Sequence, residues 1–163
     1  MASNTENVKE VFEWITGIIK RLGIQYHISG GLAAIAYGSK RPLYDIDIDI
    51  PEKDFEKLAR EVNPNLTLVP VNFRDEKWDL TMMTIRYKEV DIDISGAYTG
   101  KIFDAEKNIW IPYESDLKNT EEHELFGSIQ PIISRDVLIK YKKILRRPTD
   151  LEDIEAILSS SQT

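Results

Sequence analysis

Tyr44-Asp45-Ile46-Asp47-Ile48-Asp49-Ile50 alternates acid and isoleucine with a period of two. In a β-strand successive side chains point to opposite faces, so Asp45, Asp47 and Asp49 share one face and the three isoleucines share the other. The isoleucine face suits a core. The aspartate face needs a reason, because Asp is depleted in strands and like charges on one face repel. A solvated edge strand accounts for polarity. It does not account for three aspartates with no Lys or Thr among them. A divalent cation does: Mg²⁺ takes hard oxygen ligands, commonly one or two carboxylates together with substrate phosphates. A second segment, Val90-Asp91-Ile92-Asp93-Ile94, repeats the pattern and places Asp91 and Asp93 on a common face. If the two strands lie near one another, a third carboxylate reaches the same metals. That is the arrangement of two-metal phosphoryl chemistry, with ions roughly 3.5–4 Å apart.

Ser29-Gly30-Gly31 lies a short way upstream, between a strand expected over Ile24–Ile28 and a short helix expected over Leu32–Tyr37. Glycines there let the backbone approach a ligand, and helix N-terminal amides favour anions. A Gly-Gly pair alone is often a plain turn. Its significance here is proximity, since only a short helix and the Lys40–Leu43 loop separate it from the acidic strand. A phosphate cradle and a metal site can then lie side by side.

The flanking chain reads as mixed α and β. Val8, Val11, Phe12, Ile15, Ile18, Ile19 and Leu22 recur at three- and four-residue steps, which predicts an amphipathic helix over Thr5–Leu22. Pro51 stands where a helix over Glu52–Val62 begins. Strands are expected over Leu66–Val71, Leu80–Tyr87 and Val90–Ser95, the last two forming a hairpin around Lys88-Glu89, with a final strand over Ile129–Ile133. Ala97–Glu124 gives no clear period, and Trp110 and Tyr113 are its expected anchors. Ser134 caps a helix over Arg135–Leu145, Pro148 interrupts, Thr149 caps a helix through Leu158, and 159–163 fray.

The length of 163 residues fits one domain, residues 1–163, with a core over 24–95 and a helical pair over 134–158. No apolar run approaches the ~20 residues of a membrane span, and the polar N-terminus lacks a signal-peptide pattern, so a cytoplasmic protein without a membrane partner is expected. With no cysteine there is no thiolate nucleophile, disulfide or cysteine zinc site. A net charge of -7 argues against tight non-specific nucleic-acid binding. It does not exclude a nucleotide, whose phosphates a metal screens from carboxylates.

The ordered set Ser29-Gly30-Gly31, Arg41-Pro42-Leu43-Tyr44-Asp45-Ile46-Asp47 and Val90-Asp91-Ile92 resembles the DNA polymerase β-like nucleotidyltransferase superfamily. The likeness is to its small prokaryotic members, the abortive-infection toxin type and the lincosamide and aminoglycoside nucleotidyltransferases. Leu138-Ile139-Lys140-Tyr141-Lys142-Lys143, followed by Arg146-Arg147-Pro148-Thr149-Asp150-Leu151-Glu152-Asp153-Ile154, resembles their paired C-terminal helices. The resemblance runs from Ile24 to Leu158, with no signal over Ala97–Gln130. It implies an α+β (α/β) nucleotidyltransferase fold, a mixed β-sheet flanked by helices with a C-terminal helical pair. It also implies Mg²⁺ or Mn²⁺ as cofactor and a nucleoside triphosphate such as ATP as donor.

On this resemblance Asp45 and Asp47 bind the metals. Asp91 completes the site and aligns or deprotonates the acceptor hydroxyl, with Asp93 as the alternative. Ser29, Gly30, Gly31 and Arg41 meet the phosphates, and Lys140 lies near the nucleotide or leaving group. Leu43 and Thr149 stand where relatives often carry a small hydroxyl residue and a lysine. The expected activity is transfer of a nucleoside monophosphate to an unidentified hydroxyl acceptor, whether small molecule, protein or tRNA. The alternative is a catalytically silent nucleotide-binding or interaction module of the same fold. Other residues read blandly. His27 is a satisfied or half-buried imidazole, Met82-Met83 is sheet core, the Lys140–Arg147 basic run is a solvated helix face, and Asp150 and Asp153 cap a helix or pair with Arg146 or Arg147.

Overall fold

The computed structural model describes residues 4–43 and 45–160; Tyr44, the first residue of the expected acidic strand, lies outside them. The acidic strand is the centre of the architecture. It forms β2 (Asp45–Ile50), antiparallel to β1 (His27–Ser29) and parallel to β5 (Val90–Gly96). Asp45 stands opposite Asp91, Asp47 opposite Asp93 and Asp49 opposite Ser95. Directly paired residues project from the same face, so both acidic segments point to one side of the sheet.

Around this pair the described residues build a nine-stranded mixed sheet in the order β7-β6-β4-β5-β2-β1-β9-β8, with β3 on the other side of β4. The added strands are β3 (Leu66–Arg74), β4 (Trp78–Tyr87), β6 (Gly100–Asp104), β7 (Ile109–Tyr113), β8 (Glu121–Leu125) and β9 (Ser128–Ile132). β1 and β9 run parallel, as do β2 and β5; the remaining pairs are antiparallel. The stretch that gave no clear sequence signal therefore holds three short strands, β6 to β8.

The isoleucine face is buried, as the alternation requires. Ile46, Ile48, Ile50, Ile92 and Ile94 are fully covered and share one apolar cluster with Val11, Phe12, Ile15 and Ile19 of α1 (Asn4–Arg21) and Phe55 and Leu58 of α3 (Phe55–Glu61). Burying one such side chain stabilises the fold by about 1.5–3 kcal/mol, which fixes the register and so commits every aspartate to the opposite face. A 3₁₀ turn over Glu52–Asp54 precedes α3, so the helix expected from Glu52 starts later.

Two further differences bear on the site. α2 (Gly30–Ala36) begins at Gly30, so the glycines form its first turn rather than a loop ahead of it. The C-terminal pair is α4 (Arg135–Leu145), capped by Ser134 accepting from the Val137 amide, and α5 (Pro148–Ser160). Pro148 opens α5 instead of interrupting ahead of it, because the first helical position needs no N–H donor. The Asp150 carboxylate reaches back to the Arg147 amide at 3.1 Å and serves the end that Thr149 was expected to cap. Among the described residues no helix is long and apolar enough to cross a membrane.

Candidate active site

The aspartate face of the sheet floors a cleft of about 540 Å³. Ser29, Gly30, Gly31, Arg41, Asp45, Asp47 and Asp93 line it, joined by Lys142 of α4 and Arg147 and Thr149 from the α4–α5 junction. Asp91 is not among the lining residues. It lies one pair outward, half exposed, and accepts from Arg86 Nη1 at 2.8 Å. Asp93 accepts from Thr84 Oγ1 at 2.9 Å inside the cleft. The alternative that the repeated Asp-Ile pattern left open is thus the carboxylate that faces Asp47 in the register.

The carboxylates are under strong mutual pressure. Burial, then Asp93, Asp45 and Asp49, push Asp47 up to about 8, with Lys142 acting in the opposite direction. Asp45 is raised by burial and by Asp91, against Arg41. Asp93 is raised by burial and by Asp45 and Asp91, against its bond from Thr84. Uncompensated like charges in a half-buried site produce this pattern.

Hard carboxylate oxygens concentrated on one wall are the donor set that Mg²⁺ or Mn²⁺ takes, so these residues fit such an ion in kind. Among the described residues no three acidic or histidine groups are drawn together as a ready coordination site. Carboxylates that repel one another stay apart without a counter-ion.

Gly30 ties the glycine turn to the acid. Its φ is +60°, and a Cβ there would stand 2.7 Å from Asp47 Cγ and 2.9 Å from Asp47 Cβ. Only glycine accepts both that backbone and that approach. At Gly31 a Cβ would meet Arg41 Nη2 at 2.8 Å and Leu43 Cδ1 at 2.9 Å, so Leu43 packs directly on the turn.

The opposite wall is basic, and α5 organises it. Arg41 donates from Nε and Nη2 to Asp153 at 2.8 and 2.9 Å. The buried Lys142 ammonium stands 3.2 Å from Asp150 and 3.0 Å from Asp153. Arg147 donates to Asp150 from Nε at 2.7 Å and from Nη2 at 3.2 Å. Burial works to raise both aspartates, but these cations outweigh it and hold both below the ordinary carboxylate value. Asp150 and Asp153 are therefore far more than helix caps: they lock α5 to α4 and to the loop after α2. Of the pairs expected, Arg147 is found; Arg146 instead faces Glu106.

Lys140, expected near the nucleotide, is exposed and borders a separate hollow beside Lys107 and Lys143. Lys142 takes the position in the cleft. It lies on the buried stripe of α4 with Leu138, Tyr141 and Leu145, so it is not part of a solvated face. That spacing of three, four and seven residues is readable in the sequence. A lysine inside an apolar stripe is the signal that was missed.

Asp49 has a different part. It is buried at 1% exposure and accepts three bonds: from Ser29 Oγ at 3.1 Å, from Tyr113 Oη at 2.9 Å and from His27 Nε2 at 3.0 Å. It binds the strand end before the glycine turn to β7 on the far side of the cleft. Tyr113 is pushed well above its ordinary value by burial and by Asp49. His27, expected to be a satisfied or half-buried imidazole, is instead fully buried, and its Nδ1 finds no hydrogen-bond partner among the described residues.

No family model and no curated protein matches the sequence. Solved structures do. Over 92% of this chain and 91% of its own, a Thermotoga maritima protein described as a nucleotidyltransferase superposes with a TM-score of 0.71 at 18% identity. The lincosamide antibiotic adenylyltransferase LnuA, solved with lincomycin, gives 0.63 at 19% identity over 93% of this chain and 96% of its own. The antibiotic-resistance factor ANT(2'')-Ia gives 0.65 at 16% identity over 98% of this chain and 85% of its own. Likeness at such low identity speaks for architecture, and on it the chain has the nucleotidyltransferase fold.

Proposed function

We propose that the chain is a metal-dependent nucleotidyltransferase that moves a nucleoside monophosphate from a nucleoside triphosphate to a hydroxyl acceptor. The observation that carries this reading is one cleft in which Asp45, Asp47 and Asp93 from two parallel strands face Arg41, Lys142 and Arg147 beside Ser29-Gly30-Gly31. Acid and base on facing walls suit a substrate that brings both a polyanion and its counter-ion.

Asp45, Asp47 and Asp93 would hold the divalent ion, Mg²⁺ or Mn²⁺. Bound there, it supplies Lewis acidity and offsets triphosphate charge. The acceptor oxygen attacks the α-phosphorus, and the bond from that phosphorus to the bridging oxygen of the β-phosphate breaks. Pyrophosphate leaves with the electron pair, and the acceptor proton passes to a carboxylate. Asp93 is the carboxylate in place for that proton, because it faces Asp47 inside the cleft whereas Asp91 lies outside the lining. Arg41, Lys142 and Arg147 meet the charge that grows on pyrophosphate, with Ser29, Gly30 and Gly31 holding its oxygens. Asp49 keeps Ser29 and Tyr113 in place.

The test is transfer of label. Each of the four common triphosphates, labelled at the α-phosphorus, is incubated with the protein, Mg²⁺ or Mn²⁺ and cell extract. Label is expected in a new product, and its size gives the class of acceptor. The same triphosphates labelled at the γ-phosphorus should yield labelled pyrophosphate, and Asp45→Ala and Asp47→Ala should abolish both signals. Triphosphate binding without transfer in any extract would leave the silent module.

A further inference from the structure

On the nucleotidyl-transfer reading, we infer that the acceptor is a neutral hydroxyl compound with a flat or aliphatic body, seated on an apolar strip of β3 and β4, and not a polycation. The cleft face of the sheet changes character across the strands. Thr84 pairs with Asp93 and Met82 with Ser95, so β4 continues the face that carries the carboxylates. Alternation along β4 then puts Trp78, Leu80, Met82 and Thr84 on that face, and Phe73 of β3, paired with Leu80, joins them. None of these is charged. Leu80 is buried, whereas Phe73, Trp78 and Met82 keep part of their surface open to the cleft. Trp78 is fixed edge-on against Tyr113, with ring centroids 5.2 Å apart, which gives the strip a rigid aromatic end. Met82 is therefore a lining residue and not sheet core; Met83 alone points into the core.

The geometry of displacement assigns this strip to the entering group. In an in-line reaction the attacking and leaving oxygens lie on opposite sides of the phosphorus. Gly30 lies against Asp47, Arg41 lies against Gly31, and Arg41 shares Asp153 with Lys142, so the glycine turn and these basic groups gather on the β1 side of Asp47, where pyrophosphate would leave. The strip begins on the other side of Asp93, where the acceptor must enter. A polycation there would find no counter-charge among the β3 and β4 residues lining the cleft, and burying an unpaired cation is costly. Apolar surface is removed from water there at no such cost.

Equilibrium dialysis of the full chain with Mg²⁺ and α,β-methylene-ATP tests this, using 2-naphthalenemethanol and tobramycin as probes. The naphthyl alcohol is expected to bind at least ~10-fold tighter than tobramycin. Phe73→Asp and Met82→Asp should each weaken it by ~10-fold or more and leave nucleotide affinity within about 2-fold. Phe73→Ala, a truncation on an edge strand, repeats the comparison if a charged variant fails to fold. Tighter binding of tobramycin, naphthyl-alcohol binding that all these variants leave unchanged, or its displacement by excess adenosine would overturn the inference. If the wild type takes no nucleotide but the naphthyl alcohol still binds in a manner sensitive to Phe73, the strip stands and the nucleotidyl-transfer reading falls.

Discussion

Replacing Asp47 by Asn should stabilise the metal-free protein while removing its response to Mg²⁺. In the folded chain Asp47 is raised from 3.8 to about 8 by burial and by Asp93, Asp45 and Asp49. Between those values the folded state keeps a proton that the unfolded state has already released, so stability falls as pH rises. Each pH unit lowers it by up to about 1.4 kcal/mol, and the whole interval sets a ceiling of about 6 kcal/mol. Asp47 retains some contact with water and its neighbours can relax, so roughly 2–3 kcal/mol is the expected effect near pH 8. Asn keeps the shape and removes the charge. Urea unfolding followed by circular dichroism, in EDTA and near pH 5 and pH 8, reads the difference directly. The variant should exceed the wild type by a small margin near pH 5, where little of the interval above 3.8 has been crossed, and by a larger one near pH 8. Adding Mg²⁺ at about 100 times its dissociation constant should stabilise the wild type by about 2.7 kcal/mol and leave Asp47→Asn unchanged. The reasoning is refuted if the variant is no more stable than the wild type near pH 8 and its slope with pH is the same.

Gly30→Ala should lower transfer by ~100-fold and destabilise the protein by about 1–3 kcal/mol, because the added methyl demands both a strained backbone and the space of the Asp47 carboxylate; rates and unfolding midpoints check both halves. Asp93→Asn should lower kcat by ~100-fold or more, whereas Asp91→Asn, which loses only a half-exposed pair with Arg86, should cost less than ~10-fold; the reverse order in steady-state kinetics would return the base to Asp91. Asp153→Ala leaves Arg41 and the buried Lys142 short of a partner and should cost about 3–5 kcal/mol in urea unfolding near neutral pH. In the wild type, the stability that Asp153 contributes is present above its unfolded value of 3.8 and is lost as pH falls through the lower folded value, so the variant should show a shallower loss in acid.

The sequence made the acidic strand legible because a strict alternation of Asp and Ile admits one backbone and two faces. The isoleucines then bury as a set, and the aspartates follow. The glycine turn was legible in position but not in form, because a two-residue signal does not say whether the helix starts on it or after it. Residues 97–124 were opaque for a physical reason: β6 to β8 are five residues each, and β8 reads Glu-Glu-His-Glu-Leu, with too few apolar side chains to display a period. The resemblance carried Lys140 by its neighbours in sequence, whereas helical geometry sends Lys142 inward. Asp49 repeats the spacing of its neighbours and so looked like an extra acid of the same kind. Only the tertiary bonds from His27, Ser29 and Tyr113 distinguish it, and Tyr113 lies in the stretch that had no legible pattern.

Calorimetric titration of the full chain with α,β-methylene-ATP, which cannot release pyrophosphate, asks most directly whether the acidic floor and basic wall form one triphosphate site. Heat of binding should appear with Mg²⁺, vanish in EDTA and vanish with Mg²⁺ in Asp47→Asn. Equal binding in EDTA, or full Mg²⁺-dependent binding by Asp47→Asn, would contradict the account.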